Sequence, residues 1–293
     1  MEKALLMLNP KSGKQEGKNK FYTIVSELSK KYRLEVHITK SSDDIIATAE
    51  KCDYDTVIVC GGDGTLSLTV NGLVRGGHAE TKVGYIPCGT ANDFATTHKL
   101  AKNVKDAVIG VCKGSPKKVD RATFNGKQLI YIASFGAFTK ASYETPQDVK
   151  NMFGNLAYFF SGIGEFVNLP EIPARIEWDG GVLEEKSIIF CAACNTRVIG
   201  GGFVKFPPEL SPLDDGELEL LIVRKPKNLI DLDKAIKEIV SGRFDNEFVT
   251  LLHSKKYKIV TEKGILWTVD GEGVNAPELV EIECIEKGLT LIS

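Results

Sequence analysis

Between Ala4 and Cys112 the sequence alternates strand-like and helix-like hydrophobic periods, and no other feature restricts the fold as strongly. Ala4–Leu8 is an apolar run, Phe21–Lys31 carries apolar residues at helical spacing, and Leu34, Val36 and Ile38 alternate as in a strand. Ser41–Asp44 caps a helix reaching about Cys52, and Thr56–Cys60 is a continuous apolar strand. A second cycle brings a helix after Thr65, a strand at Val83–Ile86 and a helix around Val104–Cys112. Such alternation predicts an α/β N-terminal domain with a doubly wound, mostly parallel sheet, whose ligands bind at the carboxyl ends of the strands.

From about Lys117 the pattern changes. Asn125-Gly126 separates two apolar runs, the strongest short-range hairpin signal, and Asp179-Gly180-Gly181 does the same. Further strands are expected at Glu217–Val223, Tyr257–Thr261, Gly264–Val269, Val280–Ile285 and Leu289–Ile292, with helical spacing mainly at Lys150–Asn168 and Ile230–Val240. The chain of 293 residues is long enough for two ordinary domains. The expectation is a nucleotide-binding α/β domain over 1–116 and a larger β-rich antiparallel domain over 117–293. The boundary falls near Gly114–Lys118, and a return of the C-terminal strand to the first domain stays open.

Charged residues make up 26% and apolar ones 43%, which suits a soluble globular chain, and a net charge of −2 gives no reason to expect nucleic acid. Ala4–Leu8 is too short for a signal sequence. The apolar stretch Asn151–Pro170 is broken by Asn155, Gly162, Gly164 and Glu165, short of the roughly 20 uninterrupted residues of a membrane span. The expected location is the cytoplasm, with membrane contact peripheral. Seven cysteines scattered through apolar strands point to a reducing compartment. Cys191 and Cys194 form a CxxC, but in a strand a spacing of three sends the thiols to opposite faces, so both are expected in the core.

Three glycine-bearing stretches sit where strands of the first domain should end: Asn9–Gly13, Gly61–Thr65 and Pro87–Asp93. In a doubly wound sheet these loops converge, and glycine lets backbone N–H groups approach a phosphate, with a helix from Thr65 aiming its positive end at it. Neither a Walker A loop nor GxGxxG is present. Asp63 in such a loop is unfavourable beside phosphate unless a divalent cation intervenes, and Mg²⁺ bridges carboxylates to phosphates in this way. The alternative is a tight turn with Asp63 bonding its own backbone. Asp270 and Glu272 occupy another glycine-rich loop, as a candidate general base site or a plain hairpin turn. Asp214 and Asp215 precede a strand, where a turn is the default.

Together NPKSGK, GGDGTL with VNGL, PCGTANDFA, KKVD at Lys117–Asp120, SYETP at Ser142–Pro146, GNLAYFFSG, PLDDGELEL and VDGE closely resemble the bacterial diacylglycerol kinase-type lipid kinases, related to sphingosine and ceramide kinases. The matching pieces run from residue 9 to 272. The resemblance implies phosphotransfer from ATP to a lipid hydroxyl, most simply diacylglycerol to phosphatidic acid, with the nucleotide held between domains. It implies a nucleotide site lined by Asn9, Pro10, Lys11, Ser12, Gly13, Thr39, Gly61, Gly62, Asp63, Gly64, Thr65, Leu66, Ser67, Leu68, Gly89 and Thr90. Asp63 would organise Mg-ATP, and Glu272 would deprotonate the lipid hydroxyl with Asp270 beside it. Asp215 would hold a second, structural Mg²⁺ with the backbone carbonyls of Pro212 and Glu217, linked through water to Asp120 and Lys14. The chain departs from the family at Ser67-Leu68, where Asn-Glu is typical, and near Asn19 or Lys20, where such kinases can place a basic residue.

The acceptor end needs apolar surface. Met152, Phe153, Leu156, Ala157, Phe160, Ile163 and Val167 suit either a helix packed on the β domain or a segment that receives acyl chains. An NAD kinase shares the GGDGT idea without GTANDF and the late DGE, and a non-catalytic nucleotide- or lipid-binding regulator is the third reading. Edge strands of the β domain leave a homodimer open.

Overall fold

The computed structural model describes residues 1–137, 171–202, 204–244 and 246–293. The chain forms two compact units, one of Met1–Arg121 with Glu286–Ser293, the other of Ala122–Ile285.

The first unit contains β1 (Glu2–Leu8), α1 (Glu16–Asn19), α2 (Phe21–Leu28), β2 (Tyr32–Ile38), α3 (Ser42–Glu50), β3 (Thr56–Gly61), α4 (Asp63–Arg75), β4 (Lys82–Pro87), α5 (Asp93–Thr97), α6 (Val104–Lys113) and the start of β5 (Pro116–Phe124). Its parallel strands are ordered β4-β3-β1-β2, with Leu6 opposite Ile58 and Val36. All six residues of β3 are buried, as a strand covered on both faces requires. Leu6, Leu8, Ile58 and Ile86 pack with Ile24 and Leu28 of α2 and Val104, Val108 and Val111 of α6. On the other face Thr69 of α4 reaches Met7, and Gly72 of α4 lets Ile46 and Ala49 of α3 approach closely. Helices thus cover both faces, the doubly wound arrangement expected from the sequence. Ser41 caps α3 by accepting the Asp44 N–H.

The second unit continues β5 and adds β6 (Lys127–Leu129), β7 (Ile132–Gly136), β8 (Ile172–Trp178), β9 (Gly181–Cys194), β10 (Val198–Ile199), β11 (Val204–Lys205), β12 (Leu218–Arg224), α7 (Leu229–Val240), β13 (Val249–Ser254), β14 (Lys256–Thr261), β15 (Leu266–Val269), β16 (Glu272–Asn275) and most of β17 (Leu279–Ile292). Its pairings are antiparallel: β9 lies between β8 and β12 and also pairs β7, while β14 pairs β8 and β17. Asn125 and Gly126 both take positive φ, 48° and 78°, so the β5–β6 hairpin has the primed turn that its Asn-Gly signalled. Asp179-Gly180 turns β8 into β9. Cys191 and Cys194 fall in two separate hydrophobic clusters and are free thiols, as the strand spacing required.

The C-terminal region differs from expectation. The two strands expected at Val280–Ile285 and Leu289–Ile292 are one strand, β17, whose last part pairs in parallel with β4. The polar Glu286-Lys287-Gly288 reads as a break. Instead Lys287 takes φ 52°, its N–H is accepted by buried Asp120 at 2.6 Å, and the Gly288 carbonyl accepts Arg121 Nε at 2.8 Å. The helical pattern at Lys150–Asn168, with SYETP and GNLAYFFSG, lies outside the described residues.

Candidate active site

β1, β3 and β4 end in the three glycine-bearing loops, and within the first unit these loops touch one another through glycine backbone. A Cβ on Gly13 would lie 2.3 Å from the Cys88 carbonyl oxygen, one on Gly62 would lie 3.2 Å from the Gly89 Cα, and one on Gly89 would lie 2.7 Å from the Gly62 Cα. Gly13 also takes φ 51°, in the region that favours glycine. The glycines are therefore needed for loop-to-loop packing, a use separate from the ligand approach expected of them. Asn9 joins the first loop to the second: Nδ2 donates to Thr65 Oγ1 at 3.0 Å while Oδ1 accepts the Lys11 N–H at 3.0 Å. Asn92 holds the third, its side chain accepting the Gly89 N–H at 2.8 Å and donating to the Gly89 carbonyl at 2.9 Å. Thr39, buried at the end of β2, donates its N–H to the Leu8 carbonyl.

Asp63 does not sit in a loop. It is the first residue of α4, two positions earlier than the expected start, because extended Gly62 serves as N-cap and its carbonyl already accepts the Leu66 N–H. Asp63 Oδ1 accepts the Tyr85 hydroxyl at 3.2 Å and Oδ2 accepts the Asp93 N–H at 3.0 Å. Burial, reinforced by the Asp93 carboxylate, pushes the Asp63 carboxyl up to about 6, against the lowering effect of these two donors and of the Phe94 N–H. A carboxylate kept from water beside a second one is a group that a cation would relieve, so the residues fit Mg²⁺. The helical period also limits what α4 can present. Thr65, Leu66 and Ser67 are buried, whereas Asp63, Gly64 and Leu68 remain partly exposed, so the run 61–68 does not face outward as a whole.

In the second unit the DGE segment is a two-residue hairpin between β15 and β16. Asp270 and Gly271 take φ 48° and 91°, and Val269 stands opposite Glu272. The buried Asp270 carboxylate accepts three backbone N–H groups, Ile130 at 2.9 Å on Oδ2 and Tyr131 and Ile132 at 2.9 and 3.1 Å on Oδ1, and its own N–H reaches the Ile132 carbonyl. Asp270 thereby fastens the hairpin to the bend before β7, and Glu272 projects from it as an exposed side chain.

Residues 3–124 match the diacylglycerol kinase catalytic domain, and residues 132–293 match the YegS C-terminal NAD kinase beta sandwich-like domain. Proteins of Staphylococcus aureus strains RF122 and MRSA252 named diacylglycerol kinase are 31% identical over 266 residues, which cover 89% of this chain and 80% of theirs. The chain belongs to the diacylglycerol kinase family. It is a lipid kinase, and kinase chemistry of this family implies ATP. A crystal structure of a diacylglycerol kinase from Bacillus anthracis superposes with a TM-score of 0.75 at 25% identity, covering 99% of this chain and 96% of that one. Another structure from the same organism gives a TM-score of 0.82 at 27% identity with the same coverage.

The residues expected at a structural metal fall as follows in this member of the diacylglycerol kinase family. Asp215 is exposed, and its Oδ1 accepts the Glu217 N–H at 3.1 Å across Gly216, the side-chain turn that is the default for this segment. Pro212 is half-buried. Asp120 is buried on β5 and Lys14 is exposed after the first loop. Among the described residues no group of three His, Cys, Asp or Glu side chains forms a metal cluster. Thr90 and Lys11 are exposed at the loop tips.

Sequence reasoning missed Tyr85, Asn92 and the backbone of Asp93, which hold Asp63 and Gly89. The signal for Tyr85 was available in part: it is the one polar-tipped residue within the apolar run Val83–Ile86, and a buried tyrosine hydroxyl needs a partner.

Proposed function

We propose that this lipid kinase transfers the γ-phosphate of Mg-ATP to the free hydroxyl of diacylglycerol, giving phosphatidic acid. The observation that carries the reading is Asp63, a partly buried carboxylate raised to about 6, at the start of α4 where three glycine loops meet. The backbone of Asn9–Gly13, Gly61–Thr65, Gly89 and Thr90 holds the phosphates, with Thr39 and the outward face of Gly64 and Leu68 beside them. A divalent cation at Asp63 supplies charge neutralisation of the triphosphate. Glu272, exposed on its hairpin, accepts the proton of the lipid hydroxyl as that oxygen bonds to the γ-phosphorus and ADP leaves. Asp270 is a positioning residue for Glu272, since its carboxylate is occupied by three backbone donors. A structural Mg²⁺ would be held by Asp215 with the carbonyls of Pro212 and Glu217, and linked through water to Asp120 and Lys14. Ser67 is buried, so within the departure at Ser67-Leu68 only Leu68 bears on the nucleotide side.

The enzyme meets its substrate at the cytoplasmic membrane surface as a peripheral protein; among the described residues no helix is long and apolar enough to cross a membrane. The test is transfer from γ-labelled ATP to diacylglycerol in mixed micelles. Label should enter the lipid phase with wild type and be lost with Asp63→Ala. Label entering NAD but no lipid would overturn the acceptor class, and unchanged transfer by the variant would overturn the role of Asp63.

A further inference from the structure

Beneath the glycine loops lie two free thiols that the phosphotransfer chemistry does not use. Cys60 is the penultimate residue of β3, directly before Gly61-Gly62-Asp63, and Cys88 follows β4, directly before Gly89. Their sulfurs are 3.5 Å apart, both side chains are buried, and neither is in a disulfide. The turn of α1 is seated on the pair: a Cβ on Gly17 would lie 2.7 Å from the Cys60 sulfur and 3.4 Å from that of Cys88. We propose that Cys60 and Cys88 form an oxidisable dithiol, and that a peroxide converts it to a disulfide that disables the nucleotide loops.

The two thiols are unequal, as such a reaction needs. With Cys60 donating its S–H and Gly17 its backbone N–H, the Cys88 thiol is held below its ordinary value despite burial, while Cys60 is pushed well above. Cys88, which keeps 5% exposure against 0% for Cys60 and accepts the Gly17 N–H, is the thiol that meets the oxidant. Its sulfur bonds to one peroxide oxygen, the O–O bond breaks, and the other oxygen leaves as hydroxide and is protonated to water. The Cys60 sulfur then displaces the oxygen of the Cys88 sulfenic acid, which leaves as a second water with the Cys60 proton. Two electrons pass from two thiols to one peroxide. Only a small oxidant suits the site, because α1 must open locally to admit it.

The consequence for the loops follows from their lack of slack. A disulfide bond is about 2.05 Å long, so the sulfurs must close by about 1.5 Å. The Cys88 carbonyl is in contact with Gly13, and Gly89 with Gly62, at distances that leave no room even for a methyl group. Drawing the two strand ends together therefore displaces all three loops at once. Loss of nucleotide binding rests on the phosphate-loop reading given above; formation of the disulfide does not.

The experiment compares reduced and peroxide-treated whole protein by mass spectrometry and by calorimetry with Mg-ATP. The expected result is a loss of two hydrogens, a Cys60–Cys88 linked peptide on digestion, and an affinity at least about tenfold weaker that dithiothreitol restores. Cys60→Ser and Cys88→Ser should bind nucleotide when untreated and keep that affinity after peroxide. Oxygen added to one sulfur with no linked peptide overturns the dithiol, and a linked peptide with unchanged affinity overturns its control of the loops. A reduced protein that binds no nucleotide counts against the phosphate-loop reading alone, because the linked peptide still decides the dithiol.

Discussion

The Tyr85 hydroxyl donates to Asp63 Oδ1 at 3.2 Å, so the carboxylate at the head of α4 is held by a side chain from the neighbouring strand as well as by the Asp93 N–H. The Tyr85 phenol is itself pushed well above its ordinary value by burial and by Asp63, and stays a donor throughout the working pH range. Tyr85→Phe removes the only side-chain hydroxyl among the donors to the ionised carboxylate, leaving the Asp93 and Phe94 N–H groups, so the Asp63 carboxyl should rise further above about 6. The acid limb of the kcat/KM profile should move to higher pH, with a loss at pH 6.5 several times that at pH 8 and a cost within the roughly 1.5–3 kcal/mol of a charged hydrogen bond. A uniform loss across the profile would show that Tyr85 acts only through packing.

Asp63 also makes a stability prediction of defined sign. Its folded value of about 6 lies above the ordinary 3.8, so the folded state binds the proton more tightly than the unfolded chain. The carboxylate costs nothing below about pH 4; the penalty develops as pH rises from 4 to 6 and is complete above 6. Asp63→Asn, measured by denaturation in chelator, should be more stable than wild type at pH 8 and equal to it near pH 4. Solvent screening of this half-buried group limits the gain to about 1 kcal/mol. Added Mg²⁺ should stabilise wild type and not the variant. Equal stability at pH 8 would mean that burial does not strain this carboxylate.

The two carboxylates of the DGE hairpin should separate by readout. Asp270→Ala leaves the N–H groups of Ile130, Tyr131 and Ile132 without their acceptor in a buried place, and should cost about 2–4 kcal/mol of stability. Glu272→Gln, at an exposed position, should unfold at the wild-type denaturant concentration and lose at least about a hundredfold in kcat with little change in the KM for ATP. A wild-type denaturation midpoint for Asp270→Ala would remove its positioning role.

These relationships mark how far the sequence could be read. The doubly wound sheet, the antiparallel second unit and the Asn125-Gly126 turn follow from local period and turn chemistry, which act over a few residues. The helix start at Asp63 was displaced because extended Gly62 can serve as N-cap without a capping side chain. From the sequence β17 reads as two strands, because the Asp120 and Arg121 bonds that carry it through Lys287-Gly288 come from residues 167 positions away. Tyr85 and the Cys60–Cys88 contact were hidden for the same reason: only the parallel register of β3 and β4 brings them beneath the loops.

Two glycine-to-alanine changes should act in opposite directions. The Cβ of Gly89→Ala would lie 2.7 Å from the Gly62 Cα and 2.9 Å from Asn92 Oδ1, so the second and third loops must separate. Displacement of phosphate-binding backbone by even 1 Å can cost about a hundredfold in rate, and the KM for ATP should rise by tenfold or so with the acceptor KM unchanged. Gly110 lies in the exposed part of α6, where a Cβ meets nothing within 4 Å. Gly110→Ala should therefore stabilise the helix by about 0.5–1 kcal/mol and leave kinase activity intact. If Gly89→Ala retained the wild-type KM for ATP, the contact between Gly62 and Gly89 would not govern nucleotide binding, and the site would have to be sought away from the junction of these loops.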